Sequence, residues 1–462
     1  MKSKLFGTDG IRSKFGIKPL TTESIKLIGY AFAKSIFNNN SGHVYISHDG
    51  RESCNSIESD LISGISCQGS SYTLLGLLPT PALSASMYKM KKKDTCAIQI
   101  TASHNQYHDN GLKFFDYRGY KINDSIQRQI ENIVHSESFD IESIKKSNNI
   151  DNGFNDIYIC FIREYLSAKL SNFLPLNQRF NILVDCANGA FSRIIDSIFD
   201  NQNLNIIPIN SEPDGKNINL DCGATNPKEI SDFISFFNNQ KVKSSKDKSE
   251  ILKIDLGIAI DGDGDRAIFV DDQGNILDGD DIIFLLAKNN KKGKGKVVGT
   301  IMTNYGIRKA YEDADIDFIE TDVGDINVAN KIRESNCSLG GESSGHIIFN
   351  DFKDFLYGDS IITLINVVKL LLSSKKSLFE HYQHINKIPS ELINIIVNDK
   401  LTFLSNEKNM NTISYIRDKI GSKGRLLVRP SGTENVVRFL IEHTDASEII
   451  VLKSYLYDNI DT

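Results

Sequence analysis

The sequence predicts an α/β protein of several domains, and three observations carry that prediction. Short β-rich runs end in Gly/Asp/Ser/Asn loops and give way to helical stretches, again and again along 462 residues. At about 100–200 residues per domain, this length holds roughly three or four domains. Two polar stretches of low hydrophobicity, residues 144–156 and 241–250, fall where boundaries are needed. Strand–helix alternation favours mainly parallel sheets, whose ligands gather at the carboxyl ends of the strands.

Each block can be justified in order. His43–Ser47 is a β-rich run before HDGRES, and Cys96–Ile100 one before TASHN. After the first polar stretch, Phe180–Val184 precedes DCANG. Beyond residues 241–250, which read as a solvated surface loop, Leu256–Ile260 precedes DGDGD. The last helical stretch of the third block ends near Ser374, and a fourth block follows with LLVRPSGTENVVRFLIE at its heart. The divisions expected are 1–155, 156–254, 255–372 and 373–462. The first three blocks have the look of related modules, although no sequence repeat proves it.

Composition narrows the function. Charge is -6, from 53 Lys+Arg against 59 Asp+Glu, which argues against a protein whose task is to hold nucleic acid. The run KKGKGK at 291–296 lacks interleaved aromatics and reads as a solvated helix end. The start MKSKLFGTDGIRS has no apolar run of a signal peptide. The apolar stretch Ile361–Leu372 is too short to span a bilayer. Seven scattered cysteines without a CxxC pair fit a reducing cytosol. The expectation is a cytoplasmic protein without a membrane or nucleic-acid partner.

Five segments carry chemistry. Ser103 lies in TASHN, at the end of a strand, beside His104 and ten residues before Lys113. A serine is a nucleophile when a base takes its proton or when it is stored as an ester. It equally serves as a turn residue capping a helix. No Gly-x-Ser-x-Gly elbow is present, which disfavours an esterase. Asp261, Asp263 and Asp265 alternate with glycine. Three carboxylates so close are costly without a cation, and oxygen donors suit Mg²⁺ or Ca²⁺. An EF-hand is excluded, because Arg266 stands where its loop needs glycine. Arg429-Pro430-Ser431-Gly432-Thr433-Glu434 joins two strands and offers a guanidinium, two hydroxyls and a flexible backbone, which suit phosphate. In GGESSGH, Glu342 and Ser344 face one ligand if the segment is extended, with His346 close by. FGTDGIR, near the start, ends in the cation Arg12.

The order FGTDGIR, TASHNxxHDNGxKFF, DGDGDR, GGExSGH and RPSGTE resembles the α-D-phosphohexomutase superfamily from Leu5 to about Glu442. Within it the chain is most similar to the bacterial phosphoglucosamine mutases, through Tyr107–Phe115, Val323-Gly324-Asp325 and Asp261–Asp280. The resemblance implies three related α/β domains plus a smaller C-terminal α+β domain around a central cleft. It implies phosphoryl transfer between O6 and O1 of glucosamine phosphate, through a phosphoserine and a glucosamine 1,6-bisphosphate intermediate, feeding UDP-N-acetylglucosamine and cell-wall synthesis. Ser103 would carry the phosphate, and one Mg²⁺ would sit on Asp261, Asp263, Asp265 and the Ser103 phosphate. Glu342 and Ser344 would hold sugar hydroxyls, with His346 lining the cleft. Arg429, Ser431, Gly432 and Thr433 would grip the non-reacting phosphate. Arg12 would stabilise phosphoryl charge and Arg266 would lie near the phosphoserine. Lys113 and His104 would transfer protons, Lys113 as base if nearby cations lower its pKa.

The chain departs from the pattern at Ser13, Gln106, Asn226 and Ile326, the last standing where these mutases generally have arginine. Competing readings are a phosphoglucomutase or phosphomannomutase, a metal-dependent phosphatase and a non-catalytic sugar-phosphate sensor. The sequence leaves open whether the chain is a homodimer. Because RPSGTE lies about 320 residues beyond Ser103, the two are expected to meet only if the C-terminal domain folds over the cleft.

Overall fold

The computed structural model describes residues 4–7, 9–137, 140–146, 149–174, 179–199, 204–241, 253–289, 295–352, 355–383, 385–431 and 435–461. The chain divides into two compact units. One comprises residues 1–301 and 319–383, the other residues 302–318 and 384–462.

The first unit contains three sheets with one repeated strand order. In the first sheet, Ser71–Leu77, His43–His48 and Thr95–Ile100 are parallel neighbours, and Asp109–Phe115 returns antiparallel beside the last. The second repeats this with Leu204–Ile209, Phe180–Asp185, Leu256–Ile260 and Ala267–Val270. In the third, Asp317–Thr321, Lys296–Thr300, Leu339–Gly341 and Ile347–Phe349 stand in the same order, with the last pair antiparallel. The relatedness of the first three blocks is therefore a matter of topology, not of surviving sequence.

Parallel neighbours form the centre of each sheet, as expected, and an antiparallel return strand stands beside them. Three of the chemistry-bearing loops of this unit are the tips of antiparallel pairs. Residues 101–108 join Thr95–Ile100 to Asp109–Phe115, 261–266 join Leu256–Ile260 to Ala267–Val270, and 342–346 join Leu339–Gly341 to Ile347–Phe349. A buried apolar run such as Thr95–Ile100, buried at every position, looks the same whether its neighbour arrives directly or through a helix.

The expected divisions also move. Leu256–Leu277 pair with the second sheet, so the carboxylate loop belongs to the second block and not to one beginning at 255. The helices Ser360–Ser374 and Leu378–Tyr382 stay with the first unit, and residues 302–318 join the C-terminal one. Residues 242–250 and 291–294, read above as a solvated surface loop and part of a solvated helix end, lie outside the described residues.

Local chemistry explains the helices that frame the loops. Thr22–Ile36 starts at Thr21, whose hydroxyl accepts from Ser24 N, and buries Ile25, Ile28 and Phe32 on one face. Gly279–Lys288 starts with a capping box formed by Asp278 and Asp281. Ser360–Ser374 is capped by Asp359, which accepts from Ile361 N and Ile362 N and receives the Tyr158 hydroxyl. In the C-terminal unit, Ser390–Ile396, Val436–His443 and Gly424–Pro430 form an antiparallel sheet. Its core is built around Ile416, Val437, Phe439, Ile441 and Leu456. Among the described residues, no helix is long and apolar enough to cross a membrane.

Candidate active site

Ser103 occupies the turn after a fully buried strand, with a left-handed φ of 53°. A non-glycine residue held there costs about 1–3 kcal/mol and persists only when its surroundings fix it. Here they do. Ser103 N donates to Thr101 Oγ1 (2.7 Å), and Thr101 Oγ1 donates to Asp49 Oδ2 (2.6 Å). Asp49 also receives Arg51 Nε at 2.8 Å. The buried Arg51 guanidinium then donates to the carbonyls of Ser103 (2.9 Å), Gln106 (2.5 Å) and Asp109 (2.9 Å). Because Gln106 contributes its carbonyl, which every residue carries, the departure at that position keeps this contact.

The strained turn presents the serine hydroxyl to the second sheet. Ser103 Oγ donates to Asp261 Oδ2 at 2.6 Å and stands 3.3 Å from His104 Nδ1. Asp261, Asp263 and Asp265 are all buried, and one ligand atom from each lies within 4.8 Å of the others. Asp261 Oδ1 accepts the backbone N–H groups of Gly264 and Arg266, both at 3.1 Å. Asp263 Oδ2 takes the Thr80 hydroxyl (2.5 Å), from the first turn of Thr80–Met90, and Lys113 Nζ (2.7 Å). Asp265 Oδ2 takes Lys113 Nζ at 2.8 Å.

The second oxygens test whether a cation fits. Asp263 Oδ1 and Asp265 Oδ1 are buried with no hydrogen-bond partner among the described residues, His346 Nδ1 standing 3.7 Å from the latter. Burying an unpaired carboxylate oxygen is expensive. Burial and the charges of Asp265 and Asp263 hold the Asp261 carboxyl well above its ordinary pKa. All-oxygen donors with unmet charge fit a hard divalent cation such as Mg²⁺.

Lys113 corrects one expectation. Its buried ammonium is ringed by carboxylates, not cations: Asp263, Asp265 and, at 3.1 Å, Asp9. Burial opposes its charge, but Asp263, Asp265 and Asp9 outweigh that and hold its pKa well above the ordinary lysine value. These partners favour its charged form, whereas the expected role as base called for neighbouring cations. Asp265 shows the reverse: Lys113, then His346 and Arg266, overcome burial and keep it ionised. His104 is the neutral group, since burial and the cations Arg266 and Arg12 push its pKa down to about 3. His346 is held above its ordinary value, as Asp265 and Asp325 outweigh burial.

Arg12, Arg266 and His346 stand near this centre, together with Asp9 and Lys121, for which the sequence suggested no role. Arg12 donates to Asp9 at 2.8 Å, and Lys121 links Asp9 to Asp325. Asp9 stays ionised despite burial because Lys113, Lys121 and Arg12 surround it. Asp325 begins the helix Asp325–Ser335, one residue after Gly324 (φ 122°), whose N–H donates to Glu342 Oε1 at 3.0 Å. His346 Nε2 lies 3.9 Å from Asp325 Oδ2. Ser344 Oγ is a buried hydroxyl without a partner among the described residues. Arg266 Nε stands 3.9 Å from both Asp261 Oδ2 and Asp265 Oδ1. Ile326 lines a cavity of about 1040 Å³ that also touches Lys121, Asp325 and Tyr357.

The C-terminal unit carries the other anion-binding candidates. Arg429 lies directly across the hairpin from Arg438, and Lys400 Nζ donates to the Ser431 carbonyl at 2.7 Å. Gly432 and Thr433 lie outside the described residues.

Alpha/beta/alpha domains I, II and III of phosphoglucomutase/phosphomannomutase match residues 3–140, 158–274 and 278–388, and the C-terminal domain matches residues 392–455. The phosphoglucosamine mutase of Legionella pneumophila (strain Corby) is 34% identical over 464 residues, covering 99% of this chain and 96% of that protein. A phosphoglucomutase/phosphomannomutase family protein from Burkholderia thailandensis has a similar structure, with a TM-score of 0.73 at 20% identity, over 99% of this chain and 97% of that one. So does Aspergillus fumigatus N-acetylphosphoglucosamine mutase, solved with GlcNAc-6P and magnesium, with a TM-score of 0.62 at 16% identity over 98% and 95%. With all four domains matched in order and a relative 34% identical along nearly its whole length, the chain belongs to the phosphoglucomutase/phosphomannomutase family.

Proposed function

We propose that the chain interconverts glucosamine 6-phosphate and glucosamine 1-phosphate, with Ser103 as the phosphate carrier. The observation that carries this reading is the buried Ser103 hydroxyl, 2.6 Å from a carboxylate of the Asp261, Asp263 and Asp265 cluster. The choice of sugar follows the phosphoglucosamine mutase that matches nearly the whole chain.

Moving a phosphoryl group between two distant oxygens of one sugar needs a store. The group on Ser103 passes to O1: the Ser103 Oγ–P bond breaks, the O1–P bond forms and the O1 hydroxyl proton leaves. The resulting glucosamine 1,6-bisphosphate turns around. Its 6-phosphoryl group returns to Ser103, O6 keeps the electron pair and takes up a proton, and the 1-phosphate departs. His104, neutral and beside Ser103 Oγ, is placed to hold or return a proton there. Arg12 and Arg266 spread cationic charge around the transferring group, whose transition state is diffuse and anionic. Lys113 holds Asp9, Asp263 and Asp265 in place and favours the charged forms of Asp9 and Asp265. A Mg²⁺ held by Asp261, Asp263 and Asp265 would supply Lewis-acid charge to the phosphoryl oxygens. Glu342 and Ser344 take sugar hydroxyls, and Arg429, Ser431, Gly432 and Thr433 take the non-reacting phosphate. On this reading the product feeds amino-sugar nucleotide synthesis in the cytoplasm.

The test is turnover of the 6-phosphates of glucosamine, glucose and mannose by wild type and by Ser103→Ala. The reading expects glucosamine 6-phosphate to be preferred and the variant to be inactive. Preference for glucose or mannose phosphate, or release of inorganic phosphate as main product, would overturn it.

A further inference from the structure

We infer that Asn219 is a positioning residue that ties the phosphate-carrying loop to the carboxylate loop and so sets the spacing between Ser103 and Asp261. Asn219 belongs to neither loop and is nearly fully buried. Its Nδ2 donates to the Ser103 carbonyl (2.8 Å) and the Asn105 carbonyl (3.0 Å). Its Oδ1 accepts Gly262 N–H at 3.0 Å. One amide therefore spends its donors on the serine loop and an acceptor on the carboxylate loop, across sequence separations of 116, 114 and 43 residues.

The surroundings are shaped for this amide. Asn219 has a φ of 55°, in the left-handed region that asparagine tolerates better than most residues. Its own N–H donates to the Ala187 carbonyl at 3.0 Å, which anchors it to the second sheet's first loop. A Cβ at Gly262 would come within 2.8 Å of Asn219 Nδ2, so the close approach of the two loops requires glycine there. The Ser103 carbonyl is thus held from one side by Arg51 of its own sheet and from the other by Asn219. Arg51 fixes the shape of the serine loop, and Asn219 fixes its distance from the carboxylates.

The inference rests on the reading of Ser103 as phosphate carrier, and two variants separate the parts. Asn219→Asp keeps the shape, the left-handed tolerance and the acceptor for Gly262 N–H, but donates to neither carbonyl. Asn219→Gly keeps the backbone conformation and removes both ties. In the metal-free full-length protein, hydrogen exchange of peptides covering 101–109 should quicken in both variants. Peptides covering 259–266 should quicken in Asn219→Gly alone, and those covering 43–48 and 180–185 should not change. With glucosamine 6-phosphate, kcat should fall by about 100-fold, the cost of misplacing a reacting group by ~1 Å, while KM changes by less than about threefold. Wild-type exchange in both loops of Asn219→Gly, or wild-type kcat in both variants, overturns the inference. So does exchange that quickens everywhere together with a fall in melting temperature, which marks a general structural role. If wild type itself turns over no sugar phosphate while the exchange pattern is as expected, the functional reading fails and the tie between the loops stands.

Discussion

Replacing Lys113 by methionine tests whether that side chain is an ionic keystone or a base. The ammonium, 1% exposed, touches Asp263 at 2.7 Å, Asp265 at 2.8 Å and Asp9 at 3.1 Å. Methionine fills similar volume without charge. Asp9 keeps Arg12 and Lys121, so the loss falls on Asp263 and Asp265, whose other oxygens lack hydrogen-bond partners among the described residues. Removing one partner of a buried ion pair costs about 3–5 kcal/mol. At about 2.1 cal/mol/K of unfolding entropy per residue, a unit of this size shifts by about 1.3 °C per kcal/mol, so the melting temperature should fall by roughly 4–7 °C. A divalent cation supplies the missing charge, so Mg²⁺ should raise the variant's melting temperature more than the wild type's. Lys113→Arg, which keeps the charge, should lose less stability. The assay is thermal unfolding followed by circular dichroism, with and without Mg²⁺. A Lys113→Met protein that melts with wild type in both conditions refutes the reasoning.

Other perturbations address separate parts of the account. Ser103→Ala should leave at most a few per cent of mutase turnover while sugar phosphate still binds by calorimetry, and substantial residual turnover would remove Ser103 from its role. Arg429→Ala should lower kcat/KM by roughly 30- to 1000-fold, the loss of a charged phosphate contact at about 2–4 kcal/mol; unchanged kinetics would make RPSGTE only a turn. Chelation should abolish activity and Mg²⁺ should restore it, whereas full activity in chelator would contradict the carboxylate site. Burial raises the Asp359 carboxyl to about 6, so its contribution is fully present below the ordinary carboxylate pKa and is lost as pH rises through 6. Asp359→Asn should therefore stabilise the protein at pH 7.5 by up to about 3 kcal/mol at 1.36 kcal/mol per pKa unit, and the gain should vanish towards pH 4. An equal change in melting temperature at both pH values would contradict the assignment.

What the sequence revealed depended on how local the signal was. Asp261, Asp263 and Asp265 announce themselves because glycine alone separates them, and the structure clusters them with Ser103. Lys113 was visible, but its protonation was not, because that depends on Asp9, Asp263 and Asp265, more than 100 residues away in each case. Lys121 and Asp325 stand 204 residues apart, and Asn219 lies 116 from Ser103. Each is an ordinary polar residue in an ordinary loop or helix start until the chain folds. The same limit governs the sheets. Apolar runs mark Thr95–Ile100 and Leu256–Ile260 as strands, but only pairing shows that each returns antiparallel through its functional loop. Residues 302–318 join the C-terminal unit through contacts that no boundary composition signals.

The central claim is that Ser103 carries the phosphoryl group that ends on the sugar. The direct measurement is a single-turnover chase of enzyme labelled with isotopic phosphate on Ser103, mixed with unlabelled glucosamine 6-phosphate and Mg²⁺. The account predicts that label leaves the peptide containing Ser103 and appears on O1 of the sugar, in the bisphosphate first and then in glucosamine 1-phosphate. Label that stays on the protein while the sugar is converted, or that leaves only as inorganic phosphate, would contradict it.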